Sequence, residues 1–149
     1  MKNITLRKID ESNFIDAFRL ELAQGQEAFV SHPIRSLAQA YVYYHQCTPF
    51  GIYVGDVMVG YVMVIYDLDT GEYNLWHLMI DKRHQRKGYG KQAVKACLNY
   101  IQQQPLGPGT TVLLTCHEKN PSAISLYKSL GFQETGNRDE EEIEMKLIL

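Results

Sequence analysis

The sequence predicts an α+β protein in which a mixed, mostly antiparallel β-sheet is flanked by about four helices. Three β-rich runs follow one another between residues 50 and 80 with tight turns between them, which is typical of antiparallel strands. A helical segment then separates residues 73–80 from the apolar run at residues 112–116, and strands joined across a helix run parallel. We expect residues 1–149 to form a single domain.

The N-terminal third is expected to supply one strand and two helices. Residues 4–9 alternate between apolar and polar side chains, as a half-buried strand does. Ser36 followed by Gln39 resembles a capping box and predicts the start of the second helix. The first helix, capped by Asp10 or Ser12, has its apolar positions at helical spacing, at Phe14, Ala17, Phe18 and Leu22.

The later elements are marked by turn and cap residues. Gly55-Asp56 predicts a hairpin turn between residues 50–54 and 57–65. Asn120 is expected to cap the last helix, with Pro121 at its first position and Gly131 just after its end. A final hairpin is expected over residues 133–138 and 143–147, with an acidic turn at Asp139, Glu140, Glu141 and Glu142.

Composition and charge exclude several classes of protein. A chain with 45% hydrophobic and 21% charged residues is typical of soluble globular proteins. The net charge of -2 does not favour a nucleic-acid partner, and no apolar run approaches the roughly 18 residues of a membrane span. We therefore expect a cytoplasmic protein without nucleic-acid or membrane partners.

The three cysteines predict neither a disulfide framework nor a metal site. Cys47, Cys97 and Cys116 are odd in number, far apart and without ligand spacing. Cys116 and His117 are adjacent, but a catalytic cysteine and its base meet through the fold and not through the sequence. A buried structural role is expected for Cys116.

The stretch at residues 85–91, Gln-Arg-Lys-Gly-Tyr-Gly-Lys, is predicted to join a strand to a helix start and to bind a phosphate or pyrophosphate. Gly88 and Gly90 let the backbone approach a ligand, and the first amides of a helix have no partner within it. Five of the 15 Lys and Arg residues lie between residues 82 and 91, which favours an anionic ligand. The pattern is neither a P-loop nor a dinucleotide fingerprint; a solvated basic helix start is the alternative.

Two motifs in a fixed order resemble the acetyl-CoA signatures of the GCN5-related N-acetyltransferase (GNAT) superfamily. The first is Gln-x-x-Gly-x-Gly after a strand, and the second, about thirty residues later, is Asn-x-x-Ala-x-x-Leu-Tyr-x-x-x-Gly-Phe. The resemblance covers nearly the whole chain and is closest to bacterial spermine/spermidine acetyltransferases. It implies a GNAT fold, in which the central strands splay apart to bind acetyl-CoA.

The resemblance also implies roles for individual residues. The backbone of Leu78, Met79 and Ile80 would pair with the pantetheine arm, and Asn120 and Ala123 would line its other side. Tyr127 would protonate the leaving thiolate, although a core aromatic beside Leu126 and Leu130 is the alternative. The pyrophosphate would be held by Gln85, Arg86, Lys87, Gly88, Tyr89, Gly90 and Lys91.

The sequence does not assign a general base. Many members of the superfamily place a carboxylate on the strand before the cofactor turn, but Asn74 and Trp76 occupy that face here. Strand alternation predicts that His77 points to the opposite face. The remaining candidates, each with a surface or core role as its alternative, are Glu27, Glu72, His32 and His117.

The substrate implied by the resemblance is a primary amine, with a polyamine such as spermine or spermidine favoured, that attacks acetyl-CoA directly. Acidic and aromatic groups around a cleft would bind a polycation. The acidic candidates are Glu27, Glu72, Asp67, Asp69 and the turn at residues 139–142, and the aromatic candidates are Trp76, Tyr41 and Tyr44. A solvated turn is the alternative for residues 139–142. The alternative functions are acetylation of a protein N-terminus or lysine, acetylation of an aminoglycoside, and non-catalytic binding of acetyl-CoA. Exposed strand edges make a homodimer conceivable.

Overall fold

The computed structural model describes residues 3–149 and contains a seven-stranded sheet with helices packed on both faces. The strands are β1 (Ile4–Lys8), β2 (Cys47–Val54), β3 (Val57–Asp67), β4 (Glu72–Ile80), β5 (Thr111–His117), β6 (Gln133–Asp139) and β7 (Glu142–Ile148). The α-helices are α1 (Phe14–Phe18), α2 (Pro33–Val42), α3 (Tyr89–Gln102) and α4 (Pro121–Ser129). No helix within residues 3–149 is long and apolar enough to cross a membrane.

The strand order is β1-β2-β3-β4-β5-β7-β6, and the pairing of β4 with β5 is the parallel one. The neighbouring pairs on either side are antiparallel, so the predicted mixed, mostly antiparallel sheet is confirmed. β4 and β5 pair only at Tyr73 with Val112 and at Asn74 with Leu113. Beyond these two pairs the strands diverge, which opens the centre of the sheet.

The sheet separates two buried clusters of apolar side chains. The α3/α4 cluster lies on one face and includes Tyr73, Val94 and Phe132, all at most 2% exposed. The α1/α2 cluster lies on the other face and includes Tyr61 and Met63, both fully buried. Because β3 is covered on both faces, its side chains are buried without the alternation of a surface strand.

A β-bulge interrupts β4 where the strands diverge. Trp76 pairs with Met63 and Met79 pairs with Tyr61, so His77 and Leu78 together face the single residue Val62 of β3. His77 has a φ of 61°, a left-handed conformation that is uncommon outside glycine. The extra residue shifts the alternation of the strand by one position.

Two expectations for the N-terminal third are wrong. α1 ends at Phe18 and leaves out Leu22, because the chain after it is held against the β4–α3 connection. α2 begins at Pro33 with His32 as its N-cap, whose Nδ1 accepts a hydrogen bond from the amide of Ile34 at 3.1 Å. Ser36 therefore caps nothing and is fully buried inside the helix.

Asp81 fastens the end of β4 to the chain that follows α1. Its carboxylate accepts hydrogen bonds from the Arg83 side chain at 2.8 and 3.0 Å and from the Glu21 amide at 2.9 Å. Burial opposes ionisation of this fully buried group, but the hydrogen bonds from Arg83 and Glu21 outweigh it and lower the pKa of Asp81 to about 2. The carboxylate thereby positions the turn that precedes α3.

We expect Asp81→Asn to lower the free energy of unfolding by about 2 kcal/mol at pH 7. The carboxyl pKa falls from its ordinary 3.8 to about 2 on folding, so the stabilisation is complete above the unfolded value and is lost as the pH drops through the folded one. Urea unfolding of both proteins at several pH values measures this, and the difference should narrow below about pH 4.

Asp56→Asn is the matched control, because Asp56 pairs with Arg7 on the surface with its side chain 98% exposed. A surface pair contributes less than about 1 kcal/mol. An equal loss of stability from both variants would contradict the assigned role of Asp81.

Candidate active site

The divergence of β4 and β5 creates a cleft of about 900 Å³ that opens to solvent. One wall is the bulged part of β4 with Trp76, His77 and Leu78, and the facing wall is α4 with Asn120, Ala123 and Tyr127. The segment before α2, α2 itself, the end of β5 and the β6–β7 turn complete it. Its volume is in the range of small-molecule sites, and it lies where β4 and β5 no longer pair with each other.

The glycine-bearing turn forms the N-terminus of α3, as predicted. Gly88 is the N-cap with a φ of 81°, a conformation that glycine adopts without cost. Within residues 3–149 no side chain caps this helix, so its first amides can bind an anion. A side chain at Gly90 would meet Leu126 at 3.5 Å, an ordinary contact, so the packing of the protein itself does not require glycine there.

Three exposed cations surround this helix start, namely Arg86, Lys87 and Lys91. Within residues 3–149 none of them forms an ion pair, so their charge is available to an anionic ligand. The side chains of two other residues predicted to hold the pyrophosphate make contacts within the protein instead. Gln85 donates to the carbonyl of Ile80 at 2.9 Å, and Tyr89 is buried in the α3/α4 cluster, which leaves their backbone for a ligand.

The side chains at the end of β4 pack into the two apolar clusters, and Leu78 also lines the cleft. Met79 packs in the α1/α2 cluster, whereas Leu78 and Ile80 pack against the α3/α4 cluster. Opposite them, Asn120 caps α4, and its Oδ1 accepts from the amide of Ala123 at 3.3 Å. Of the residues predicted to bind the arm, Leu78, Asn120 and Ala123 thus line one cleft, whereas Met79 and Ile80 are not among its lining residues.

Tyr127 lines the same cleft, and its ring packs edge-on against Phe132 at 5.8 Å. Within the described part of the chain its hydroxyl has no hydrogen-bond partner. Burial raises the pKa of Tyr127 well above its ordinary value, and the neighbouring thiols of Cys116 and Cys97 add to this. The phenol therefore stays protonated at neutral pH and can donate its proton.

Three carboxylates line the cleft. Glu27 comes from the segment before α2, and Asp139 and Glu142 come from the β6–β7 turn. Burial raises the pKa of Glu142, and His117 partly opposes this. Arg35 of α2 is the single Lys or Arg among the residues found to line the cleft.

Other predicted substrate residues lie outside the cleft. Glu72 pairs with Asp67 at the closed end of β4, five residues or about 16 Å of strand from His77. Tyr41 and Tyr44 are 80% and 64% exposed, and neither lines the cleft. Trp76 and Glu27, in contrast, both line it.

His77 is the clearest correction. Its Nδ1 lies 2.7 Å from Ser36 Oγ on α2, and Trp76 packs against the α1/α2 cluster, so both side chains are on the same face. The prediction that His77 points to the opposite face is wrong, because the bulge shifts the alternation of side chains by one residue. No glycine or proline in β4 marks the bulge in the sequence. Sequence reasoning also missed Gln39, whose buried Oε1 has no hydrogen-bond partner within residues 3–149.

The cysteines do not supply a nucleophile. All three are free and buried. Cys116 lines the cleft, but burial, with Glu142 and Glu134 nearby, raises its pKa to about 11, so it remains a thiol. Within residues 3–149 no three His, Cys, Asp or Glu side chains converge as metal ligands would.

Comparison with known proteins agrees with this geometry. Spermine/spermidine N(1)-acetyltransferase of Bacillus subtilis (strain 168) is 29% identical over 143 residues, which are 92% of each chain. Spermidine N-acetyltransferase from Vibrio cholerae, solved in complex with CoA and spermine, has a TM-score of 0.73 at 19% identity and covers 98% of this chain and 95% of its own.

Ribosomal-protein-S18-alanine N-acetyltransferase from Escherichia coli also has a TM-score of 0.73 at 19% identity, with 97% of this chain and 93% of that chain covered. At such identities the two solved structures establish the fold. The acetyltransferase (GNAT) family pattern itself matches residues 14–132. The chain therefore belongs to the acetyltransferase (GNAT) family and is an acetyl-CoA-dependent N-acetyltransferase.

Proposed function

We propose that this protein acetylates a primary amine of a polyamine such as spermine or spermidine. The observation that carries the proposal is that three carboxylates, those of Glu27, Asp139 and Glu142, line one cleft. A linear polycation carries several positive charges, and these carboxylates can bind the charges that do not react. The B. subtilis relative, whose name specifies spermine and spermidine, supports the same substrate class.

The residues around the cleft fit acetyl-CoA, the acetyl donor. The free amides at the start of α3 and the cations Arg86, Lys87 and Lys91 suit its phosphates. The pantetheine arm is assigned to the backbone of residues 78–80, of which Leu78 lines the cleft together with Asn120 and Ala123. These assignments extend the predicted roles to the geometry of this chain.

The acceptor amine must lose a proton before it can attack. For an alkyl ammonium with a pKa near 10 this costs roughly 4 kcal/mol at neutral pH. Burial, followed by the charge of Arg35, lowers the pKa of His77, and a cation such as Arg35 likewise lowers the pKa of an ammonium group bound beside it.

The transfer then requires no nucleophile from the enzyme. The neutral amine forms a C–N bond to the acetyl carbon, the C–S bond breaks, and Tyr127 gives its proton to the departing sulfur. The raised pKa of Tyr127 favours recovery of a proton, which the new amide nitrogen releases, directly or through water. The acetyl group thus moves from sulfur to nitrogen, one proton moves from nitrogen to sulfur by way of Tyr127, and the phenol is restored.

We expect Tyr127→Phe to lower kcat roughly 10²-fold, the size of a general-acid contribution, while KM for acetyl-CoA stays within about twofold. The ring and its contact with Phe132 remain, so only the proton is lost. A thiol-release assay measures both constants. Tyr41→Phe on the exposed surface of α2 is the control, and an unchanged kcat in Tyr127→Phe would exclude its role as the acid.

We expect Gly90→Ala to weaken binding of acetyl-CoA about tenfold, or 1.4 kcal/mol, because the added methyl group stands where the backbone meets the phosphates. The unliganded protein should be as stable as wild type or more so, since the methyl group makes ordinary contacts within a helix. Calorimetric titration and thermal unfolding measure the two quantities.

Gly60→Ala is the matched contrast, because its Cβ would lie 2.4 Å from the carbonyl oxygen of Met79. That variant should lose stability without ligand present. If Gly90→Ala bound acetyl-CoA normally, the assignment of phosphate binding to this turn would be wrong.

The substrate is tested by assaying spermine, spermidine, a lysine peptide and an aminoglycoside side by side. We expect the double variant Asp139→Asn/Glu142→Gln to raise KM for spermine about tenfold with little change in kcat, at about 0.7 kcal/mol for each ion pair. Glu72→Gln, at the closed end of the sheet, should leave KM unchanged. Preference for the lysine peptide over the polyamines would contradict a polyamine substrate. So would an equal change in KM for spermine in the double variant and in Glu72→Gln.

A further inference from the structure

The backbone of His77 is strained. Its φ of 61° is unfavourable for a side chain with a Cβ, and the bulge around it removes a regular pairing from the centre of the sheet. Strain of this kind persists where the surroundings hold it in place, and it often marks a functional residue. The bulge aims His77 at α2 and into the wall of the cleft.

The surroundings that hold His77 are a buried chain of hydrogen bonds. His77 Nδ1 lies 2.7 Å from Ser36 Oγ, and Ser36 Oγ lies 2.8 Å from the hydroxyl of Tyr61. Ser36 and Tyr61 are both fully buried. Within residues 3–149 the hydroxyl of Tyr61 has Ser36 as its one hydrogen-bond partner.

Counting donors along this chain assigns the protons. The buried hydroxyl of Tyr61 must donate to Ser36 Oγ, because leaving it unpaired would cost about 1–3 kcal/mol. Ser36 then donates its own proton to Nδ1 of His77, and the separation of 2.7 Å is typical of an O–H donor. Nδ1 is thereby the acceptor, so the proton of the neutral ring is on Nε2.

The competing arrangement has His77 donate from Nδ1 while Ser36 turns its proton to Met63. The sulfur of Met63 lies 4.0 Å from Ser36 Oγ, at the outer limit for a hydrogen bond, and a thioether is a weak acceptor. This arrangement keeps a hydrogen bond between His77 and Ser36 but makes it N–H···O, for which 2.7 Å is short, and it leaves the Ser36 proton with only the weak contact to sulfur. The first arrangement is therefore the favoured one.

His77 is also neutral at physiological pH. Burial, followed by the positive charge of Arg35, lowers its pKa to about 4. A ring with this pKa is a poor base for an ammonium group. It is, however, a suitable hydrogen-bond donor, because its N–H is neither lost nor joined by a second proton near pH 7.

We propose that His77, fixed as the Nε2–H tautomer by Ser36 and Tyr61, donates a hydrogen bond to the carbonyl oxygen of the acetyl group. Negative charge develops on this oxygen as the amine attacks, and a preorganised neutral donor stabilises it. Tyr127 lines the same cleft, and its proposed role is to protonate the sulfur of the same thioester. The inference rests on the proposed placement of acetyl-CoA along residues 78–80.

The tautomer can be measured without turnover. Long-range proton–nitrogen NMR spectra of the histidine-labelled wild-type protein, without ligand at pH 7, should show His77 as neutral with its proton on Nε2. Ser36→Ala removes the donor to Nδ1 and should give a mixture of tautomers. A proton on Nδ1 in the wild type would overturn the proposal, whatever the enzyme acetylates.

The catalytic role is tested by comparing two substitutions at the same position. His77→Ala should lower kcat roughly 10²-fold, the usual effect of losing one such donor, with KM for acetyl-CoA within about twofold. His77→Gln keeps an N–H donor but cannot titrate, and its kcat should lie closer to wild type than to His77→Ala. Equal losses in the two variants, or no loss in His77→Ala, would overturn the proposal.

Two measurements that need no turnover, acetyl-CoA binding and the NMR spectra, separate the role of His77 from the proposed function. Binding of acetyl-CoA to each His77 variant, measured by calorimetry, should equal that of the wild type. If no amine were acetylated by the wild type, the proposed function would fail, while the NMR spectra would still report the tautomer.

Discussion

The short pairing of β4 with β5 is the constraint on which the rest of the structure depends. Two residue pairs, at Tyr73–Val112 and Asn74–Leu113, join the halves of the sheet. A longer ladder would satisfy more backbone groups but would close the cleft. By stopping the ladder there, the chain leaves backbone donors and acceptors at the centre of the sheet, where an extended ligand can satisfy them.

The same burial that stabilises the core also sets the chemistry of the cleft. Burial raises the pKa of a phenol and lowers the pKa of an imidazole, because in both cases it disfavours the charged form. Tyr127 and His77 are therefore both neutral near pH 7, and each keeps a proton to donate. The charged residues Glu27, Asp139 and Arg35 line the cleft with them.

The polar groups beneath the cleft show how the site is held. Asp81 ties the end of β4 to residue 21, and Ser36 ties the bulge to α2. Each of these side chains is fully buried and fully bonded, so each fixes the geometry of the strand without the cost of an unpaired polar group. The cofactor turn and the bulge are thus positioned by different anchors on the same strand.

The sequence by itself determined what depends on neighbours in the chain. The caps of α4, the Gly55-Asp56 hairpin and the glycine-capped start of α3 follow from local backbone preferences, and the fold follows from their order. Only the tertiary structure decided that Glu72 lies far from the cleft and that Asp139 lines it, since strands distant in sequence set those positions. The bulge at His77 likewise depends on pairing with β3, which periodicity cannot reveal, because one inserted residue reverses every side chain that follows.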